Sequence, residues 1–129
     1  MPWRSRFAWA WTLVIFLLCW IPRNYLSEQE RLPKPLFIPN FDKLIHLGIF
    51  AIFSVLWMRA GTSSRRAWWI LLAGVAVAFI TEIGQELPVV NRDASLADGL
   101  ADFAGVVVGL VGYGVLGKIL EKRAVPAAE

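Results

Sequence analysis

The sequence predicts an all-α membrane protein with four transmembrane helices, on three observations. Its apolar residues come in four blocks rather than in amphipathic stripes, the pattern of segments dissolved in lipid. Hydrophobic residues make up 57% of only 129 residues, more than one soluble domain of that size can hide. Seven Trp and eight Phe add to this, because aromatic residues gather at membrane interfaces. The length holds a single domain, 1–129.

The first block, FAWAWTLVIFLLCWI, is closed by Pro22 and predicts a span over 6–22. Arg4 and Arg6 precede it as in a signal peptide, but no A-x-A site follows, which predicts an uncleaved anchor. The lone cysteine, Cys19, lies inside this block, so an intrachain disulfide and a cysteine metal cluster are both excluded. It reads as a small packed or lipid-facing side chain. The connection to the second block carries Pro22, Pro33, Pro35 and Pro39, which favour extended or turn structure over helix.

The second block, LIHLGIFAIFSVLWM, predicts a span over 42–59, and the third, from Ala67 to Ile80, a span over 66–86. Pro88 gives the third helix its stop. The fourth block, FAGVVVGLVGYGVLG, predicts a span over 97–118, and residues 124–129 read as a frayed tail. A 15-residue block covers only about 22 Å of a hydrocarbon core about 30 Å thick. The helices are therefore expected to continue into their polar flanks.

Four spans put both termini on one side. That side carries Arg4, Arg6, Arg59, Arg65, Arg66, Lys118, Lys122 and Arg123. The other side has fewer basic residues, Arg23, Arg31, Lys34, Lys43 and Arg92, and gathers the carboxylates of Glu28, Glu30, Asp42, Glu82, Glu86, Asp93, Asp98 and Asp102. The positive-inside rule then places both termini in the cytoplasm. A net charge of +3 raises the question of nucleic acid, but the basic residues hug span ends and form no basic stripe, which excludes that class.

Two polar clusters fall on the outer side. Asp42-Lys43-x-x-His46 enters the second span, with side chains three and four residues apart on neighbouring helical positions. Glu82-x-x-Gln85 leaves the third span, followed by Arg92, Ser95, Asp98 and Asp102. Ser95-x-x-Asp98 predicts a helix cap. Gly74, Ala78 and Glu82 form a line at four-residue steps, and Ala101, Gly105 and Gly109 form another, so that close helix packing turns the carboxylates inward. Ionisable groups at that depth are expected to serve a function, with Lys43 and Arg92 as the available cations. Glu28, Glu30, Glu86 and Asp93 read as solvated charges.

This ordered set, Asp42-Lys43-x-x-His46, Glu82-x-x-Gln85, then Arg92, Ser95, Asp98 and a Gly-rich fourth span, resembles the VanZ-like family of small membrane proteins. The resemblance covers about 42–109 and carries over onto Asp42, Lys43, His46, Glu82, Gln85, Arg92, Ser95, Asp98, Gly105 and Gly109. Asp102 departs from it, standing where Asn is expected in many members and adding charge beside Asp98. The resemblance implies a bacterial inner-membrane protein and a link to resistance against the glycopeptide teicoplanin, without a biochemical mechanism to transfer.

Three functional readings follow. In the first, the polar pocket binds or handles a membrane lipid head group, a lipid-linked wall precursor or a glycopeptide. Lys43 and Arg92 would contact phosphate while Glu82, Gln85 and Asp98 orient sugar or peptide groups. In the second, the chain is an intramembrane hydrolase or transferase, with His46 as general base or acid and Asp42 or Asp98 orienting it. No serine nucleophile motif accompanies it, and no metal ligand or cofactor is assigned. A metal-assisted version would draw on His46 with Glu82, Asp98 or Asp102, an oxygen-rich set suited to Mg, Ca or Mn. In the third, the chain is a structural membrane subunit whose polar residues serve folding alone.

Overall fold

The computed structural model describes residues 2–22, 41–61, 63 and 65–124, with side chains described to residue 120. The proline-rich connection and its charges Arg23, Glu28, Glu30, Arg31 and Lys34, the side chains of Lys122 and Arg123, and the tail beyond 124 lie outside the described residues. Among the described residues the protein is entirely helical, with helices α1 (Trp3–Cys19), α2 (Phe41–Arg59), α3 (Arg66–Gln85) and α4 (Leu96–Ala124). Three of them, α2, α3 and α4, are long and apolar enough to cross a membrane. The fourth, α1, has 17 residues, about 26 Å of helix.

The helix bounds follow local chemistry. Pro2 sits at the N-cap of α1, where its fixed φ suits helix entry, so α1 starts at Trp3 and not at residue 6. It ends at Cys19, short of residue 22, because Pro22 disfavours helical geometry just before itself. Helix α4 runs beyond 118 to Ala124, since Leu, Glu, Lys and Arg all propagate a helix well. The expected continuation into polar flanks is met in α2, α3 and α4, of 19, 20 and 29 residues.

Successive helices run antiparallel. Trp9 packs edge-on against Trp57, and Cys19 shares a cavity with His46, so α1 rises as α2 descends. Gly74 of α3 meets Val106 of α4, while Glu82 meets Ser95 at the start of α4. The most extensive contact joins α2 and α4, which run parallel to each other. Gly105 and Gly109 make it, because a Cβ at either would run into the Leu47 or Ala51 carbonyl oxygen.

The two small-residue lines therefore do not face each other. The glycines of α4 pack on α2, and Gly74 of α3 receives Val106 instead. Glycines remain the right residues for close approach in an apolar solvent, but each line chose a different partner.

The buried core is small: Ile15, Cys19, Ile49, Phe50, Phe53, Ile70, Ala78 and Val106. Much larger apolar area faces outward, including Trp68, Trp69 and Phe79, each about two-thirds exposed. Outward apolar area on this scale fits a lipid solvent. Indole groups tie α1 in: Trp11 Nε1 donates to the Ile49 carbonyl at 2.9 Å and Trp20 Nε1 to the Thr81 carbonyl at 3.2 Å. Gly84 leaves the room that the Trp20 ring needs.

Candidate functional site

One end of the bundle collects polar side chains from α2, α3, α4 and the α3–α4 connection around the C-terminus of α1. Two features of the chain put them there. The α2–α4 glycine contact sets the register between His46 and Asp102, and the turn after α3 folds Arg92 back so that its N–H donates to the Gln85 carbonyl at 3.0 Å. Asn91 permits that turn by taking φ 50°, a left-handed conformation that asparagine tolerates.

His46 is buried, and its Nδ1 lies 2.8 Å from Asp102 Oδ1. Asp102 has no exposed surface, and its other oxygen, Oδ2, has no hydrogen-bond partner among the described residues. Sequence spacing favoured Asp42 or Asp98 as the carboxylate on His46. The helix faces decide otherwise: Asp42 is exposed and bonds to Lys43 at 2.8 Å, and Asp98 lies a turn nearer the helix start. Lys43 Nζ also comes within 3.2 Å of Asp98 Oδ1, an ion pair by distance that lacks hydrogen-bond alignment. Lys43 is thus held by two carboxylates.

Glu82 Oε2 accepts the Ser95 backbone N–H at 2.7 Å, while Ser95 Oγ accepts the Asp98 backbone N–H at 3.3 Å. Together they reproduce a capping box, except that the reciprocal carboxylate comes from another helix. Ser95 acts as the expected cap. Glu82 Oε1 is buried without a hydrogen-bond partner among the described residues.

Gln85 is wholly buried, with its amide nitrogen 3.4 Å from the Cys19 carbonyl oxygen and its Oε1 unpartnered. Arg92 Nη1 donates to the same carbonyl at 3.1 Å. Arg92 therefore caps the end of α1, where carbonyls lack helical donors, and no carboxylate lies on it among the described residues. This role for the Cys19 carbonyl was not readable from the sequence. The signal available was general: the last carbonyls of α1 needed donors from somewhere.

The other sequence candidates fall as follows. Gly74 and Ala78 are buried, as are Gly105 and Gly109. Glu86 and Asp93 are exposed. Ser54 is buried deep against Gly109, where a Cβ of the glycine would touch it, far along α2 from His46.

Two cavities border the cluster. The more polar of them, about 170 Å³, lies between α1 and α2; Asp42, His46 and Arg92 line it together with a larger share of apolar neighbours such as Leu18, Ile45 and Ile49. An apolar one of about 330 Å³ opens between α3 and α4, walled by Val75, Phe79, Leu96 and Phe103, and reaches Glu82 and Ser95. His46, Glu82 and Asp102, three of the four residues named for a metal-assisted reading, each offer one ligand atom, all within 4.8 Å of one another. No family model, curated protein or solved structure matches this chain.

Proposed function

We propose that this protein is a four-span, VanZ-like inner-membrane protein that binds the polar head of an envelope lipid or lipid-linked wall precursor at its outer face. The observation that carries this reading is amphiphilic shape. His46 borders a cavity that Asp42 and Arg92 also line, Glu82 borders an apolar groove, and the two side chains are neighbours inside the bundle. A lipid head in the first and its chain in the second would match that division.

Arg92 is the phosphate contact in this reading. Its guanidinium has five N–H donors and lines the more polar cavity while giving Nη1 to Cys19. Lys43 contributes less than the sequence suggested, because Asp42 and Asp98 already hold it. Native mass spectrometry of the protein in mild detergent should show a co-purified phospholipid or lipid-linked phosphate, reduced about tenfold or more in Arg92→Glu, as loss of a charged contact implies. Unchanged lipid retention in Arg92→Glu refutes the head-group reading.

Helix α1 is the fourth span here, supported by its antiparallel packing on α2 and by the exposure of Trp3, Phe7, Leu13 and Leu17. Arg4, Arg6, Arg59, Arg65 and Arg66 at one end set the orientation with both termini in the cytoplasm. In a Cys19→Ser background, Ser63→Cys should react with an impermeant maleimide only from the cytoplasmic side, and Glu86→Cys only from the outer side. Labelling of both from one side overturns the topology.

A further inference from the structure

We infer that His46, Glu82 and Asp102 form a binding site for a divalent first-row cation of the Mn²⁺ or Zn²⁺ class. The three come from α2, α3 and α4, and their ligand atoms lie within 4.8 Å of one another. His46 and Asp102 are buried at 5% and 0% exposure, so the site sits inside the bundle and not on its surface.

The stronger observation concerns the oxygens. Each carboxylate has one oxygen fixed by the protein and one without a partner among the described residues. Asp102 holds His46 through Oδ1 and leaves Oδ2 unpartnered; Glu82 holds the Ser95 N–H through Oε2 and leaves Oε1 unpartnered. Buried acceptors left this way cost free energy. Anchoring one oxygen while the other stays available is also how outer-shell groups orient metal-binding carboxylates.

Charge leads to the same place. Two carboxylates beside a neutral imidazole carry two negative charges, which a divalent cation balances. Among the described residues the nearby cations lie elsewhere: Lys43 on Asp42 and Asp98, Arg92 on the Cys19 carbonyl. Imidazole in the set favours first-row metals, and three protein ligands fall short of the six to eight oxygens that Ca²⁺ takes. Ligand atoms about 2.0–2.2 Å from one ion stand about 3–4.4 Å apart, so side-chain rotation of about half an ångström closes the set. The more polar cavity, lined by His46, gives the entry path.

The inference does not rest on the head-group reading, because its test uses the metal alone. Chelator-stripped full-length protein in mild detergent is titrated with Mn²⁺, and unbound Mn²⁺ is read by electron paramagnetic resonance, with Zn²⁺ and Ca²⁺ as competitors. One ion per chain is expected, displaced by Zn²⁺ and not by Ca²⁺. Asp102→Asn should weaken binding by more than about 100-fold, beyond the effect of losing an outer-shell partner. Glu82→Gln, at a half-buried position, should do the same and serves if Asp102→Asn loses its helical circular dichroism. Glu86→Gln, on the exposed face a turn away, should bind like the parent chain. No bound Mn²⁺ in the parent chain, parent-like binding in Glu82→Gln, or equal weakening in Glu86→Gln overturns the site.

Discussion

The two ends of the bundle treat charge differently: one keeps most of its arginines outside, while the other buries part of its charge even as Asp42, Glu86 and Asp93 stay exposed. At one end Arg4, Arg6, Arg59 and Arg65 are exposed, and Arg4 lies over the Trp3 ring at 5.5 Å. Among the described basic residues of that end, Arg66 alone turns inward, giving Nε to the Trp57 carbonyl at 2.6 Å beside a cavity of about 360 Å³ walled by Trp9, Trp57 and Trp69. At the other end His46, Asp98 and Asp102 are buried and engaged with residues of other helices. Side-chain length explains the contrast. Arginine can lay its stem along apolar surface and carry its charge to water, whereas aspartate on a helix face is too short to do so. A short carboxylate within an apolar bundle must find a partner where it stands.

The largest expected effect tests that contrast directly. Asp102→Ala removes the hydrogen-bond partner of buried His46 and should cost about 1.5–3 kcal/mol, whereas Arg59→Ala should stay within about 0.5 kcal/mol. Chemical denaturation in detergent micelles measures both, and similar costs would erase the distinction between the ends.

A second contrast lies within α4. A Cβ at Gly105 meets the Leu47 carbonyl, but one at Gly117 meets nothing. Gly105→Ala should therefore destabilise by about 1–3 kcal/mol, while Gly117→Ala should be neutral or stabilise by up to about 1 kcal/mol. Equal effects in the same denaturation assay would mean that the α2–α4 register does not depend on this contact.

The smallest effect concerns α1. Trp20→Phe removes the indole donor to Thr81 and should cost about 0.5–1.5 kcal/mol. Because the buried thiol of Cys19 lies one residue away, its maleimide labelling should quicken in that variant. An unchanged rate would show that the end of α1 is held by Gln85 and Arg92 without help from Trp20.

Much of the site's membership was legible, and its pairing was not. Spacing placed Glu82 with Gln85 and identified Ser95 as a cap, because those relations are set within one helix or one turn. Spacing also suggested Asp42 beside His46, a local relation that lost to a distant one. Asp102 lies 56 residues away and was read as an unusual carboxylate and a metal-ligand candidate, not as the hydrogen-bond partner of His46. Arg92 read as a counter-ion for carboxylates and instead caps α1, since the positive-φ turn at Asn91 carries it back over Cys19.

The sequence by itself determined where apolar helices form and which end of each carries arginine or carboxylate. Hydrophobic length, proline stops and charge order are properties of contiguous residues, and they read directly. Only the tertiary structure decided which side chains meet. The partner of His46 depends on how α2 and α4 slide along each other, and that position is fixed by two glycines pressed against the Leu47 and Ala51 carbonyls. Packing at that contact is short-ranged and joins residues far apart in the chain, so no pattern along the sequence encodes it by itself.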